Sequence, residues 1–288
     1  MGFWVAALVA APGFAKAQPV DLFYERTVMS AADARCDLFA PEVGAALAAS
    51  AAQARGAALR AGTSFETLRT IENNARSKAA QAGCGSSDIA VAASRVKSAF
   101  SGYAKITRLT YPGDIAPWRA DRAGGRASSW RLSQDSAFGP DKLSFGLAGR
   151  DGPGALIAVA RFADGAQPYA ARLLLRDSSR SSQAYLDRWG AGSTARLPLE
   201  RRLPPRSALK TYQASARGPA GQDLLPRDAK SGGWAFRFPD TAAIELARLD
   251  PREAIAVEFL FPGDVTRRAY VEVGDFAAGR AFLQVASR

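Results

Sequence analysis

The chain has 288 residues, 48% of them apolar and 23% charged, with a formal net charge of +11 and no histidine. That length suits one large domain or two modest ones, and the composition excludes disorder along the whole chain. Without histidine, Ser-His-Asp and Cys-His nucleophiles, histidine metal sites and histidine pH switches are all excluded. The charge is uneven: residues 1–103 carry a net +2 and residues 104–288 a net +9. The basic second part favours an anionic surface as its counterpart.

Gly2 to Phe14 is almost wholly apolar and leads into Ala15-Lys16-Ala17. A short apolar run followed by small residues at alternate positions is what a signal peptidase reads, and it is too short to anchor in a bilayer. Residues 1–17 are therefore expected to be a signal peptide, although no basic residue precedes the apolar run. The expected compartment is the periplasm of a Gram-negative bacterium, or the outside. No later stretch has the length and apolarity of a transmembrane span. In an oxidising compartment the pair Cys36 and Cys84 reads as one disulfide, which would stabilise by at most about 4 kcal/mol through chain entropy. Two cysteines and no histidine make a zinc site improbable, and no metal or cofactor is implied.

Residues 18–104 read as a helical domain. Ser30 with Asp33 resembles a capping pair for a short helix ending near Phe39. Pro41 suits the first turn of a second helix, running to about Arg60 and stopping at Gly62. Thr63 with Glu66 forms a capping box for a third, with Phe65, Leu68, Ile71, Ala75, Ala79 and Ala82 along one face. A fourth starts near Ser86 or Ser87, with the stripe Ile89, Ala93, Val96, Phe100 and Tyr103. Residues 105–127, rich in turn formers from Tyr111-Pro112-Gly113-Asp114 onward, read as a linker.

Residues 128–288 read as an antiparallel β domain. Trp130–Gln134, Lys142–Leu147, Ala155–Phe162 and Ala170–Arg176 are β-prone. Asp151-Gly152 and Asp164-Gly165 between neighbours signal hairpins of a meander. Ser181–Trp189 suits a short helix. Pro198–Pro205 suits a basic surface loop, and Ala208–Ala216 and Trp234–Phe238 suit further strands. Asp240 then caps a helix through about Leu249, Ile255–Phe261 and Arg268–Val273 pair around Pro262-Gly263-Asp264, and Phe276–Val285 forms a terminal helix. The expected fold class is α+β: a disulfide-tied helical domain, then a mainly antiparallel, sandwich-like domain with a C-terminal helix.

From Phe238 to Val285, this order of helix, hairpin and helix, with the segment Gly274-Asp275-Phe276-Ala277-Ala278, resembles the C-terminal part of the invasion-associated locus B family of exported bacterial proteins. The resemblance implies a β-sandwich with a non-enzymatic envelope or host-related role.

Chemistry-bearing patterns are sparse. Ser94-Arg95-Val96-Lys97 has the Ser-x-x-Lys spacing, and Lys230-Ser231-Gly232 resembles a companion box of penicillin-recognising enzymes. The asparagine-bearing middle box is missing, because Asn73 and Asn74 precede Ser94. Asp114 and Asp121 flank Trp118, and with Arg119 they suggest a carboxylate pair in a glycan cleft; Tyr111, Trp118 and Trp130 packing the two parts together is the favoured alternative. The Gly-rich stretch 146–154 lacks the residues of a phosphate-binding loop. Arg196, Arg201, Arg202, Arg206 and Lys210 face only Glu200 nearby in sequence, which suggests an anion-binding surface. The absence of aromatics among them argues against nucleic acid. An anionic envelope component or an acidic protein is the expected partner. The expected role is a non-enzymatic, envelope-associated binding or structural protein; the alternative is a carboxylate-dependent hydrolase of envelope polymers.

Overall fold

A computed structural model describes residues 18–123, 128–150, 154–181, 186, 194–226 and 232–284. The signal segment, the Asp151-Gly152 turn, nearly all of the expected helix Ser181–Trp189, and Lys230-Ser231 lie outside the described residues.

Four helices open the chain: α1 (Pro19–Cys36), α2 (Pro41–Arg60), α3 (Phe65–Gln81) and α4 (Ser87–Phe100). Pro19 and Pro41 occupy first-turn positions, where a missing N–H costs nothing. Ser64 and Ser86 cap α3 and α4 by accepting from the Thr67 and Ile89 amides. Two expectations need correcting. The first helix begins eleven residues before Ser30, which lies in its interior, and Asp33 instead accepts from the Phe39 amide beyond the helix end. The cap of α3 is Ser64, one residue after the expected Thr63. Cys36 and Cys84 are bridged, with their Cα atoms 5.6 Å apart, tying the end of α1 to the approach of α4. The buried side chains of this part fall into three small clusters that mix alanine with larger apolar residues.

The remainder is an antiparallel sandwich. One sheet has seven strands in the order β1-β2-β3-β4-β5-β9-β8, and the other has four in the order β11-β10-β6-β7. Strands β3 (Ser129–Phe138), β4 (Asp141–Gly149) and β5 (Ala155–Arg161) form the expected meander. Strand β6 (Ala170–Arg176) does not continue it. The Asp164-Gly165 turn carries the chain across to the second sheet, where β6 pairs with β10 (Ala254–Phe261) and β7 (Leu209–Gln213), while β5 takes β9 (Trp234–Arg237). The expected strand 208–216 is likewise two strands, β7 in one sheet and β8 (Ala216–Pro219) in the other. These crossings close a single core in which Phe259 meets Phe138, Phe162 and Phe236 at 5.3–5.8 Å.

Residues 105–123, the described part of the expected linker, are not one. They supply β1 (Arg108–Tyr111) and β2 (Trp118–Asp121), a hairpin at the edge of the larger sheet. Trp118 and Ala120 point into the core, and burial of that face outweighs the turn-forming residues between the strands. Gly113 is required there: a Cβ would lie 2.2 Å from the Ala116 carbonyl oxygen.

The two parts meet at the last helix. After α5 (Asp240–Leu246) and the hairpin of β10 with β11 (Val265–Glu272), α6 (Phe276–Leu283) lies between α2 and the edge of the larger sheet. Arg60 of α2 donates two hydrogen bonds to the buried carboxylate of Asp275, at 2.7 and 3.0 Å. Gly56 permits this approach, since a Cβ would stand 2.5 Å from Asp275 Oδ1. Phe282 packs edge-on to Tyr103, with the Arg122 guanidinium 4.1 Å above its ring.

Candidate functional site

The five cations of the expected anion-binding surface separate into three kinds. Arg202 is fully buried and serves the fold. It lies in a 3-10 turn, Leu199–Arg202, and donates to the Ala195 and Leu197 carbonyls and to Asp114. Its partner stands 88 positions earlier, which is why the local sequence showed only Glu200. Lys210, on β7, donates to Glu245 and lies 5.1 Å from the centre of the Tyr212 ring. The Glu245 bond raises its pKa. Arg196, Arg201 and Arg206 are exposed and make no ion pair among the described residues. Three cations of the original five thus remain open to an anion.

The pair Asp114 and Asp121 does not form a cleft. Trp118 between them is wholly buried, its indole N–H donating to the Val273 carbonyl and its ring against Phe145 and Phe276. Asp114 holds Arg202, and Asp121 pairs with Arg108 and accepts from the Ala123 amide. The Trp118 region is packing rather than a glycan floor, but Trp118 and Trp130 pack within the sandwich, not between the two parts as the favoured alternative has it. Trp130 also packs, donating to the Leu224 carbonyl. Ser94 and Lys97 are both exposed on α4.

Beside Trp118 is a carboxylate that no sequence pattern marked. Glu272, at the end of β11, is fully buried and accepts from the Asp114, Ile115 and Ala116 amides at 2.7–3.3 Å. Burial raises its pKa, and the three amide bonds oppose that rise. Gln134 completes the arrangement, accepting from the Glu272 amide and donating to the Ala116 carbonyl. These bonds fix the loop between β1 and β2 onto the second sheet.

A groove of about 1200 Å³ lies between the second half of β3, the middle of β11 and the turn at Leu199. Its charged groups other than the exposed Glu200 are paired within the fold. Asp141 accepts from the Ala163 amide and from Arg267, which also forks onto Asp164. The Arg267 bonds lower the Asp164 pKa to about 2. On the other wall, Arg268 shares Glu258 with Arg172. Burial pushes the Glu258 carboxyl up, but the two guanidinium bonds outweigh it and hold it below the usual range. Asp135 pairs with Arg119 and accepts from Ser144. Asp164 and Glu258 are held below their usual range, the opposite of what a general acid in the groove needs. Among the described residues no cluster of three or more acidic or cysteine side chains is arranged for a metal ion.

Comparison with known proteins finds no matching family model, no matching curated protein and no matching solved structure.

Proposed function

We propose that this chain is an exported, periplasmic, non-enzymatic protein that binds or braces an anionic component of the cell envelope. The observation that carries the reading is the Cys36–Cys84 bridge, a bond that persists in oxidising compartments. The apolar run Gly2–Phe14, ending in Ala15-Lys16-Ala17 just ahead of α1, supports it from the sequence side. No helix among the described residues is long and apolar enough to cross a membrane. Arg196, Arg201 and Arg206 supply the anion-facing charge, with lipopolysaccharide, phospholipid headgroups or an acidic protein as the partner. The order α5, hairpin, α6 supports the invasion-associated locus B resemblance of the last fifty residues.

The test is fractionation of cells expressing the full chain, followed by intact mass with and without reductant and crosslinking in the native envelope. Release of a leader near residue 17, no alkylatable thiol before reduction and a crosslinked anionic envelope partner are expected. A chain retained in the cytosol with free thiols refutes the proposal. The hydrolase alternative predicts fragments released from peptidoglycan, and release abolished by Asp114→Asn or Asp121→Asn would replace the binding reading with it.

A further inference from the structure

A second opening, of about 500 Å³, lies between α1 and α4. The two helices run antiparallel, because the bridge joins the end of α1 to the residues just before α4. At the bridged end they are closed, with Ala32 and Ile89 in one buried cluster. Leu22 and Met29 of α1 line one wall, Val96 and Phe100 of α4 the other, and Leu47 of α2 the floor. This is a slot with apolar sides.

Its rim is basic. Arg26, Lys78 and Arg95 line the mouth, against the single acid Glu25. Arg26 is half-buried, and burial lowers its pKa. It donates one N–H to the Ser50 carbonyl, and none of the three cations makes an ion pair among the described residues. A guanidinium partly held out of water, with Glu25 alone to offset three cations, leaves net positive charge beside an apolar slot. The complement to both features is one molecule with an apolar chain and an anionic end.

We propose that the slot binds a long-chain fatty acid, with the acyl chain between α1 and α4 and the carboxylate on Arg26, Lys78 and Arg95. The size of the slot is that of a site for one small ligand, and guanidinium geometry matches a carboxylate. This goes beyond the export reading and does not depend on it.

Titration of the full chain with a conjugated fatty acid, whose fluorescence rises in apolar surroundings, tests the proposal. Saturable binding at one site per chain is expected, with displacement by oleate. Methyl oleate, which lacks the charge, should compete roughly tenfold less well. The triple variant Arg26→Glu, Lys78→Glu, Arg95→Glu should weaken binding to a similar degree, and Ala99→Trp, at an exposed position on the slot wall, should remove it. Arg248→Glu, an exposed charge on the sandwich, should leave it unchanged. Absence of saturable binding, or equal competition by oleate and its ester in the parent protein, overturns the proposal without reference to any variant. A dimer broken by Ala99→Trp, with no fatty-acid binding, assigns the slot to a second copy instead, and association only with anionic vesicles assigns it to a membrane surface; either overturns the proposal.

Discussion

The helical part and the sandwich bury their apolar surface in opposite ways. The sandwich has one continuous core, with Phe259 at the centre of a group of rings contributed by both sheets. The helices have three small clusters in which five of the twelve buried members are Ala, with Phe23, Met29, Phe39, Leu47, Leu59, Leu68 and Ile89 as the larger pieces. Alanine faces let helices approach closely but bury little area per residue. The helical part is therefore held by two devices the sandwich does not need: a covalent bridge at one end and the Arg60–Asp275 pair at the other. The sandwich reads as the scaffold, and the helices as a layer fastened to it.

The contrast is broken or sharpened most strongly at Phe259. Replacement by Ala should cost about 4 kcal/mol, read as a drop in the urea midpoint of tryptophan fluorescence. If the helices depend on the sandwich, the helical circular-dichroism signal falls in the same transition; a helical signal that survives would show independent stability. Next comes Cys36→Ser with Cys84→Ser, expected to cost up to about 4 kcal/mol under the chain-entropy account. The loss should be confined to α1 and α4 in hydrogen exchange, and faster exchange in β10 would contradict the division. Arg60→Met leaves Asp275 buried without its cation and should cost about 3 kcal/mol. Two separate thermal transitions in place of one are the expected sign of undocking.

A pH effect distinguishes the parts more gently. Glu253 in the sandwich is fully buried, and loss of solvent raises its pKa to about 7 against the opposing bonds from Arg176. A carboxyl whose folded pKa exceeds its unfolded value binds its proton more tightly when folded. Its contribution is therefore complete below about pH 4.5 and lost as pH rises through about 7, on the order of 3 kcal/mol. Burial raises Asp275 and Glu272 in the same direction. The urea midpoint should fall across that window, and Glu253→Gln, though less stable at every pH, should show a flatter profile. The smallest effect is expected at the exposed α3 pair of Glu72 and Arg76, where Arg76→Ala should cost about 0.4 kcal/mol and leave the sandwich unchanged.

How much was legible in the sequence depended on the range of each signal. Helix α2 runs from Pro41 to Arg60 as expected, because Pro41 and Gly62 punctuate both ends locally. Helix α1 was misjudged because Ser30 and Asp33 have capping spacing, yet Pro19 had already started the helix. The Asp164-Gly165 turn was identified, but a turn specifies a change of direction and not the next partner; β6 left for the other sheet. At the site level, Cys36 and Cys84 were readable because redox context links them. Arg202 was not, since its charge is answered by Asp114 and a pair of carbonyls brought together only by folding. Asp275 stood within the Gly-Asp-Phe-Ala-Ala segment, with nothing in its neighbours to point at Arg60.

The sequence by itself determined the α+β class, the order of helices before strands, the disulfide and, through the missing histidine, the range of chemistry open to the chain. Caps, prolines and alternating side chains act over a few residues, so they are visible in a line of letters. Only the tertiary structure decided which strands pair, that residues 108–121 join the larger sheet, and which cations face solvent. The physical reason is desolvation. A buried charge is tolerated only beside its complement, and for Arg202 and Arg60 that complement comes from 88 and 215 residues away.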